Sequence, residues 1–129
     1  MTQTQELQTM LDKGGIVTIP SGEYLIEKPL IIHDNTHLIL APDTILRLPD
    51  DGVFSLIEND GLKGEHKNCN IRIEGGIWDG TNLTCQRKFL APGENYGEGS
   101  TFNKERYLKN DYLGLLMRFV HCCNLYIGN

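Results

Sequence analysis

The feature that most constrains the fold is a pattern of very short strands separated by corners. Residues 68–80 read NCNIRIEGGIWDG, where Ile71 and Ile73 alternate with polar residues as they do in a strand with one buried face. A double glycine leads to a second strand at Ile77, and Asp79 is predicted to close it in a turn by bonding its own backbone. This order of strand, corner, strand and turn is typical of an all-β chain.

The same unit recurs along the chain. Direct alignment places residues 35–40 over 68–73 and residues 69–73 over 123–127, at offsets of about 33 and about 54 residues. If a polar tract of about eleven residues and a loop of about thirty-two are insertions, both offsets become about 22 residues, within the span of a solenoid repeat. The sequence therefore predicts a parallel β-solenoid whose coils each hold three short strands.

The alignment also predicts which side chains stack between coils. Ile71 is expected to lie over Leu38 and under Leu125, so that apolar side chains form ladders along the axis. Asn70 is expected near Asn124 at a corner, where the two amides can hydrogen-bond between coils. Such ladders would hold neighbouring coils together.

Turn residues divide the remaining chain into similar short segments. Strands are predicted at residues 16–19, 24–26, 30–32, 36–40, 45–48, 53–57, 113–120 and 121–128. A polar tract follows at residues 58–67, and residues 81–112 form a long inserted loop rich in Gly, Asn and charged residues. Loops of this length are uncommon inside compact domains and are often functional.

A short amphipathic helix is predicted before the first strand, within residues 1–14. Leu7, Met10 and Leu11 lie on one face at spacings of three and four, and Gly14 is placed to end the helix. We expect this helix to cover the first coil, because an uncovered coil would expose unpaired strand edges and an apolar lumen.

Composition narrows the class of protein. With 129 residues and 40% hydrophobic content, residues 1–129 fit one globular domain. The net charge of −5, without a basic run, argues against a nucleic-acid partner. No apolar segment is long enough to span a membrane. The first residues lack a secretory signal, so a cytoplasmic location is expected unless a leader has been removed.

The four cysteines are predicted to be buried free thiols. Cys69, Cys85, Cys122 and Cys123 are too few and too irregularly placed for a disulfide framework, and no pair has the CxxC spacing of a zinc site. Free cysteine commonly behaves as a small apolar residue. We therefore predict neither a disulfide nor a metal, and no cofactor.

Four segments of the chain together resemble a known family. GGIVTIPSGEYLI, LIIHDNTHLILAPDTILRL, NIRIEGGIWDG and LLMRFVHCCNLYIGN resemble the N-terminal coils of right-handed parallel β-helix enzymes of the polygalacturonase type, the family 28 glycoside hydrolases. They are similar, less closely, to pectate-lyase-like β-helices and phage tailspikes. The resemblance implies a right-handed parallel β-helix with an N-terminal capping helix.

The resemblance also implies a function for the complete protein. That family hydrolyses pectic polysaccharides with inversion, using aspartates in an Asn-Thr-Asp motif and an Asp-Asp pair on later coils. These motifs have no counterpart here, and Asp50-Asp51 sits in a turn context, so no catalytic residue is assigned. The chain is expected to be a truncated, inactive N-terminal portion whose uncapped last coil favours self-association.

An acidic polysaccharide is the partner that the resemblance implies. Arg87, Lys88 and Arg106 in the long loop are the candidates for binding it, because basic side chains hold carboxylates, although neighbouring acidic residues dilute the patch. A solvated loop is the preferred interpretation of these residues, and a binding wall is the alternative. For the whole chain the alternatives are a non-catalytic, tailspike-like binding module and a polysaccharide lyase, which would usually recruit calcium.

Other conspicuous residues are predicted to be structural. Trp78 is expected to pack in the core instead of forming a platform for sugar rings. Asp79 is expected to stabilise its turn and to take no part in catalysis. His33 and His37 are four residues apart, but a corner lies between them, so the spacing does not indicate a metal site on a helix. Solvated or locally bonded histidines are expected instead.

Overall fold

The structure is a computed structural model that describes residues 1–50, 52, 54–80 and 116–129. The long loop predicted at residues 81–112, with Arg87, Lys88 and Arg106, lies outside the described residues. Within the described ranges the chain forms helices α1 (Gln3–Asp12) and α2 (Gly61–Gly64) and ten strands: β1 Gly15–Ile19, β2 Glu23–Leu25, β3 Leu30–Ile32, β4 Thr36–Leu40, β5 Ile45–Arg47, β6 Ile57–Asn59, β7 Asn68–Glu74, β8 Ile77–Asp79, β9 Met117–Arg118 and β10 Cys122–Gly128.

The strands stack into three parallel sheets, as a β-helix requires. Sheet A has the order β1-β4-β7-β10, sheet B the order β2-β5-β8, and sheet C the order β3-β6-β9. Every pairing is parallel, and the chain visits the sheets in the order A, B, C in each coil. The predicted parallel β-helix is therefore confirmed.

The core is the column of side chains that point into the helix. Alternate residues of β4 and β7 are buried, including Leu38, Leu40, Ile71 and Ile73, as period-two patterning requires. The predicted register between these two strands is wrong by two residues, because Ile71 pairs with Thr36 and Ile73 pairs with Leu38. A shift of two residues leaves the same side chains facing inward, so the hydrophobic pattern cannot distinguish the two registers. The predicted stacking of Ile71 and Leu125 is confirmed.

Residues with a left-handed backbone conformation form the corner at the start of each strand of sheet A. Gly14 and Asn35 directly precede β1 and β4, and Asn70 and Asn124 are the third residues of β7 and β10; φ lies between 53° and 67° at all four. Asn70 donates from Nδ2 to Asn35 at 2.9 Å and accepts from Nδ2 of Asn124 at 3.0 Å. The predicted Asn70–Asn124 contact is confirmed, and Asn35 extends it. Asparagine and glycine suit this corner because both tolerate the left-handed conformation.

Helix α1 covers the first coil, as predicted. Thr2 caps its N-terminus in a capping box with Gln5, and Leu7 and Leu11 are buried against the core. Gln3 and Gln8 reach the exposed edges of β2 and β3. Each glutamine bonds one backbone N–H and one carbonyl of the coil, as a neighbouring strand would.

The sixth strand differs from its prediction. The described residues from 54 to 56 are not in a strand, and β6 begins at Ile57 and ends at Asn59. The predicted polar tract at residues 58–67 thus contains the end of a strand and the short helix α2. Asn59 is buried, and its side-chain amide both donates to and accepts from the backbone of Val120, which compensates for burying a polar group.

The prediction of free thiols is wrong for two of the cysteines. Cys69 and Cys123 form a disulfide with their Cα atoms 4.7 Å apart. The two residues are register partners on β7 and β10, and parallel stacking brings them together although 54 residues separate them in sequence. Cys122 is a free, half-buried thiol, and Cys85 lies outside the described residues.

Candidate functional site

The outer face of sheet A carries a column of large side chains, one from each coil. Parallel register places Ile16, His37, Arg72 and Tyr126 side by side on β1, β4, β7 and β10. His37 and Arg72 point outward because the residues on either side of them in sequence are buried, and Ile16 and Tyr126 are their register partners on the neighbouring strands. The column is therefore presented to solvent by rigid strands, which suits a binding surface.

Arg72 is the best-oriented cation of this face. Its guanidinium carbon lies 4.4 Å from the centre of the Tyr126 ring, in cation–π geometry. On one side, Nε donates to Oε1 of Glu74 at 2.9 Å and Nη2 lies 2.7 Å from the same oxygen. Within the described part of the chain, Nη1 makes no ion pair, and the side chain is 52% exposed. The outer edge of the guanidinium is thus available to a ligand.

Glu74 joins Arg72 to the neighbouring coil. Its second carboxylate oxygen, Oε2, lies 2.9 Å from Nε2 of His37. Hydrogen bonds from His37 and Arg72 hold the pKa of Glu74 below its ordinary value. Glu74 is therefore ionised and fixes both side chains in position.

An open groove runs beside these residues, and we call it the sheet A groove. It has a volume of about 380 Å³ and is lined by residues of three successive coils, among them Asn35, His37, Asn70, Arg72, Asn124 and Tyr126. Amides, an aromatic ring and a guanidinium offer hydrogen bonds, a stacking face and positive charge. These are the groups that hold a hydroxyl-rich or carboxylate-bearing ligand.

A second polar group of side chains, the corner cluster, lies where sheet C turns into sheet A. Its members are Asp12, His33, Asp34, Asp60, His66 and Asn68. The buried amide of Asn68 donates 2.7 Å bonds to both Asp34 and Asp60, and its oxygen accepts from Asn59 and from the backbone of Gly61. The cluster ties α1 and the second and third coils together.

The two carboxylates that Asn68 brings together invite comparison with a catalytic pair. The pKa of Asp34 is lowered by hydrogen bonds from Asn68 and the backbone of Cys69. Burial acts to raise the pKa of Asp60, but bonds from His33, Asn68 and His66 outweigh it and lower that pKa as well. A hydrolytic pair needs one protonated acid, which requires environments that push the two pKa values apart. Asp34 and Asp60 are therefore structural carboxylates.

Two further groups with altered pKa values are also assigned to the fold. Burial raises the pKa of Glu58. Its Oε2 lies 3.6 Å from Nη1 of Arg118, which is also buried. Both residues lie on neighbouring strands of sheet C, outside the sheet A groove. Burial and the charge of Asp34 raise the pKa of the Cys122 thiol, which donates to the carbonyl of Val120. A raised pKa disfavours the reactive thiolate, so Cys122 is not an activated nucleophile.

The conspicuous residues of the sequence take structural positions, some with unforeseen partners. Trp78 packs against the core, as predicted, and donates to the carbonyl of Gly75 at 3.2 Å. Asp79 is the last residue of β8 and accepts a 3.0 Å bond from Arg47, and the turn predicted there continues into residues outside the described ranges. His33 and His37 both join ion pairs between different parts of the chain. The partners of Asp79, His33 and His37 are distant in sequence, so local patterns gave no signal for them.

The described ranges hold neither a metal-binding cluster nor a membrane-spanning helix. No group of three or more His, Cys, Asp or Glu side chains among residues 1–50, 52, 54–80 and 116–129 is arranged to hold a metal ion. No helix in the same ranges is long and apolar enough to cross a membrane.

Comparison of this chain with known protein families, curated proteins and solved structures identifies no similar protein. No family model matches the chain, and neither the curated proteins nor the solved structures include a significant match. The fold and the chemistry of the sheet A groove are therefore the features that indicate a function.

Proposed function

We propose that this chain forms the N-terminal coils of a polygalacturonase-like hydrolase and that its sheet A groove binds part of an acidic, pectic polysaccharide. The observation that carries the proposal is Arg72, which is stacked on Tyr126, held by Glu74 and open along its outer edge. A guanidinium edge fits a carboxylate with two parallel hydrogen bonds, and a polyuronate presents one carboxylate per sugar.

Other groups of the groove complement such a ligand. The corner amides Asn35, Asn70 and Asn124 stand one per coil beside the column, where they can bond sugar hydroxyls. Tyr126 is 46% exposed and offers aromatic surface as well as its hydroxyl group. The parallel β-helix presents these groups at a regular spacing, which suits a repeating polymer.

Hydrolysis is assigned to aspartates on later coils, as the resemblance to family 28 glycoside hydrolases implies. In that scheme one aspartic acid protonates the leaving oxygen while paired carboxylates activate water. The 129-residue chain is expected to bind the polymer without cleaving it. The alternative is a non-catalytic β-helix module, which the sheet A groove also supports, because its guanidinium, amides and aromatic ring can bind a ligand without a catalytic group.

The test measures binding of polygalacturonate by titration calorimetry at low salt. Arg72→Gln should weaken binding about ten- to a hundredfold, because a charge-assisted bidentate contact is worth about 1.5–3 kcal/mol. Arg47→Gln is the matched control, since Arg47 is a partly exposed arginine on the outer strand face of sheet B that also pairs with carboxylates. Fully methyl-esterified pectin should bind weakly to all three proteins, because it lacks the carboxylate.

Each outcome is informative. If Arg72→Gln and Arg47→Gln lose affinity for polygalacturonate equally, or if Arg72→Gln loses none, the sheet A groove is not the binding site. If the unaltered protein binds no polygalacturonate, the polysaccharide function itself is wrong. Release of reducing ends by a longer protein containing the later coils, and not by this chain, separates the hydrolase from the non-catalytic module.

A further inference from the structure

His33 occupies an unusual position between two carboxylates at the edge of the capping helix. Its Nε2 lies 2.8 Å from Asp12, the last residue of α1, and its Nδ1 lies 2.7 Å from Asp60, which follows β6. A neutral imidazole carries one N–H and can donate to only one of them, whereas the protonated ring donates to both. The geometry therefore matches the imidazolium form.

We propose that His33 is a pH-sensitive latch that fastens the capping helix to the coils through Asp12 and Asp60, closed in mildly acidic solution and open when the ring loses its proton. When the latch opens, α1 loses the charged contact between Asp12 and His33 at its C-terminal end, where the helix joins β1. The helix then keeps the glutamine bonds to β2 and β3, the bonds of the Thr4 hydroxyl to the first coil, and the buried face of Leu7 and Leu11. Opening therefore loosens the helix without unfolding the coils.

The charged groups around the ring support the latch. Burial opposes the charged form of His33, but the hydrogen bonds to Asp12 and Asp60 outweigh it and raise the pKa of His33 above 6.5. His33, with Gln8, lowers the pKa of Asp12. His66 binds the other oxygen of Asp60 and keeps that carboxylate ionised, while Asp34 is joined to Asp60 through Asn68.

The sign of the pH dependence follows from these directions. Folding raises the pKa of His33 above the unfolded-state pKa of histidine, which is near 6.5. The protonated ring therefore stabilises the folded state fully when the pH is below 6.5, and this stabilisation is lost as the pH rises through the higher pKa of the folded state. The lowered pKa values of Asp12 and Asp60 keep both carboxylates charged down to below 3.8. The latch is thus closed from about pH 4 to about pH 6.5.

Hydrogen exchange of residues 3–12 in the whole chain tests the proposal. Between pH 5.5 and pH 8.5, after correction for intrinsic exchange, protection of α1 should fall about three- to tenfold, the range that one or two partly exposed charge pairs supply. In His33→Gln the protection should be low and independent of pH. His121→Asn is the control, because it removes an exposed histidine at another corner and keeps a residue that tolerates its positive φ of 54°; its profile should match that of the unaltered protein.

Asp12→Asn provides a second test that is safe for folding, because Asp12 is exposed at the end of the helix. A negative charge at a helix C-terminus is unfavourable, so Asp12→Asn should increase protection of α1 when the latch is open, at pH 8.5. At pH 5.5 the latch is closed, and Asp12→Asn should decrease protection because it removes the charged contact with His33. An effect of the same sign at both pH values, or a pH-independent α1 in the unaltered protein, would overturn the proposal.

Discussion

Gly75 and Gly14 both adopt left-handed backbone conformations, with φ of 80° and 67°, but their surroundings differ. A Cβ atom on Gly75 would overlap the carbonyl oxygen of Leu40 in the coil below, whereas a Cβ on Gly14 would meet no atom within 4 Å. Close approach of one coil to the next is therefore what requires glycine at position 75. At position 14 only the backbone conformation favours it, and asparagine takes the equivalent corner in the later coils.

Alanine substitutions at these two positions should have unequal effects. Gly14→Ala is expected to lower the free energy of unfolding by about 1 kcal/mol, the cost of a left-handed alanine. Gly75→Ala adds a backbone clash and is expected to cost about 3 kcal/mol or more. Urea unfolding followed by circular dichroism measures both. Similar losses in the two variants would show that coil spacing at Gly75 can relax.

At the scale of elements, α1 replaces a missing strand neighbour. Strand edges carry unpaired N–H and carbonyl groups that favour pairing with other chains. On β3, Ile31 donates to Oε1 of Gln8 at 2.8 Å and accepts from Nε2 of the same side chain at 2.9 Å. Gln3 does the same for β2, with Leu25 as donor and Glu23 as acceptor. A glutamine amide has one donor side and one acceptor side, so it mimics a peptide group.

Gln8→Ala should weaken this edge without altering the core. Loss of both bonds to the partly buried Ile31 is expected to cost about 1–2 kcal/mol and to speed hydrogen exchange of the Ile31 amide. Thr9→Ala is the matched control on the same helix, because its hydroxyl bonds only the carbonyl of Gln5 within α1. The control should change the free energy of unfolding by less than about 0.5 kcal/mol. Unchanged exchange at Ile31 in Gln8→Ala would contradict the strand-like role.

At the scale of the whole molecule, each coil is stabilised mainly by its neighbours. In such stacks the terminal coils are held by one interface instead of two. The Cys69–Cys123 disulfide joins β10 to β7, and the Asn70–Asn124 bond and the Arg72–Tyr126 contact link the same two strands. The coil that contains β10 is thus fastened by covalent, amide and cation–π contacts.

Removing the disulfide should destabilise this coil. Cys69→Ser with Cys123→Ser opens a link across 54 residues and is expected to cost about 2–4 kcal/mol of stability. Cys122→Ser is the control, because this neighbouring thiol is free. A reducing agent should lower the melting temperature of the unaltered protein and of the control, and should leave the double variant unchanged. Absence of any effect of reductant on the unaltered protein would show that the bond is not formed.

The sequence by itself determined the local structure of this protein. Period-two alternation marks β4 and β7, the apolar spacing of Leu7 and Leu11 marks α1, and residues that tolerate positive φ mark the corners. These signals depend on neighbours within a few residues, and repetition of the same strand-and-corner unit implies stacking in parallel. They were sufficient to predict the parallel β-helix and the Asn70–Asn124 contact.

The tertiary structure alone decided how the coils are aligned and which polar groups meet. A two-residue slip between β4 and β7 preserves the buried face, so only complete coil packing fixes Thr36 opposite Ile71. The repeat in the sequence aligns Cys69 with Cys123 and Arg72 with Tyr126, but only the packed coils bond the two sulfur atoms and place the guanidinium over the ring. The sheet A groove and the corner cluster were missed for this reason: their members become neighbours only when parallel coils stack.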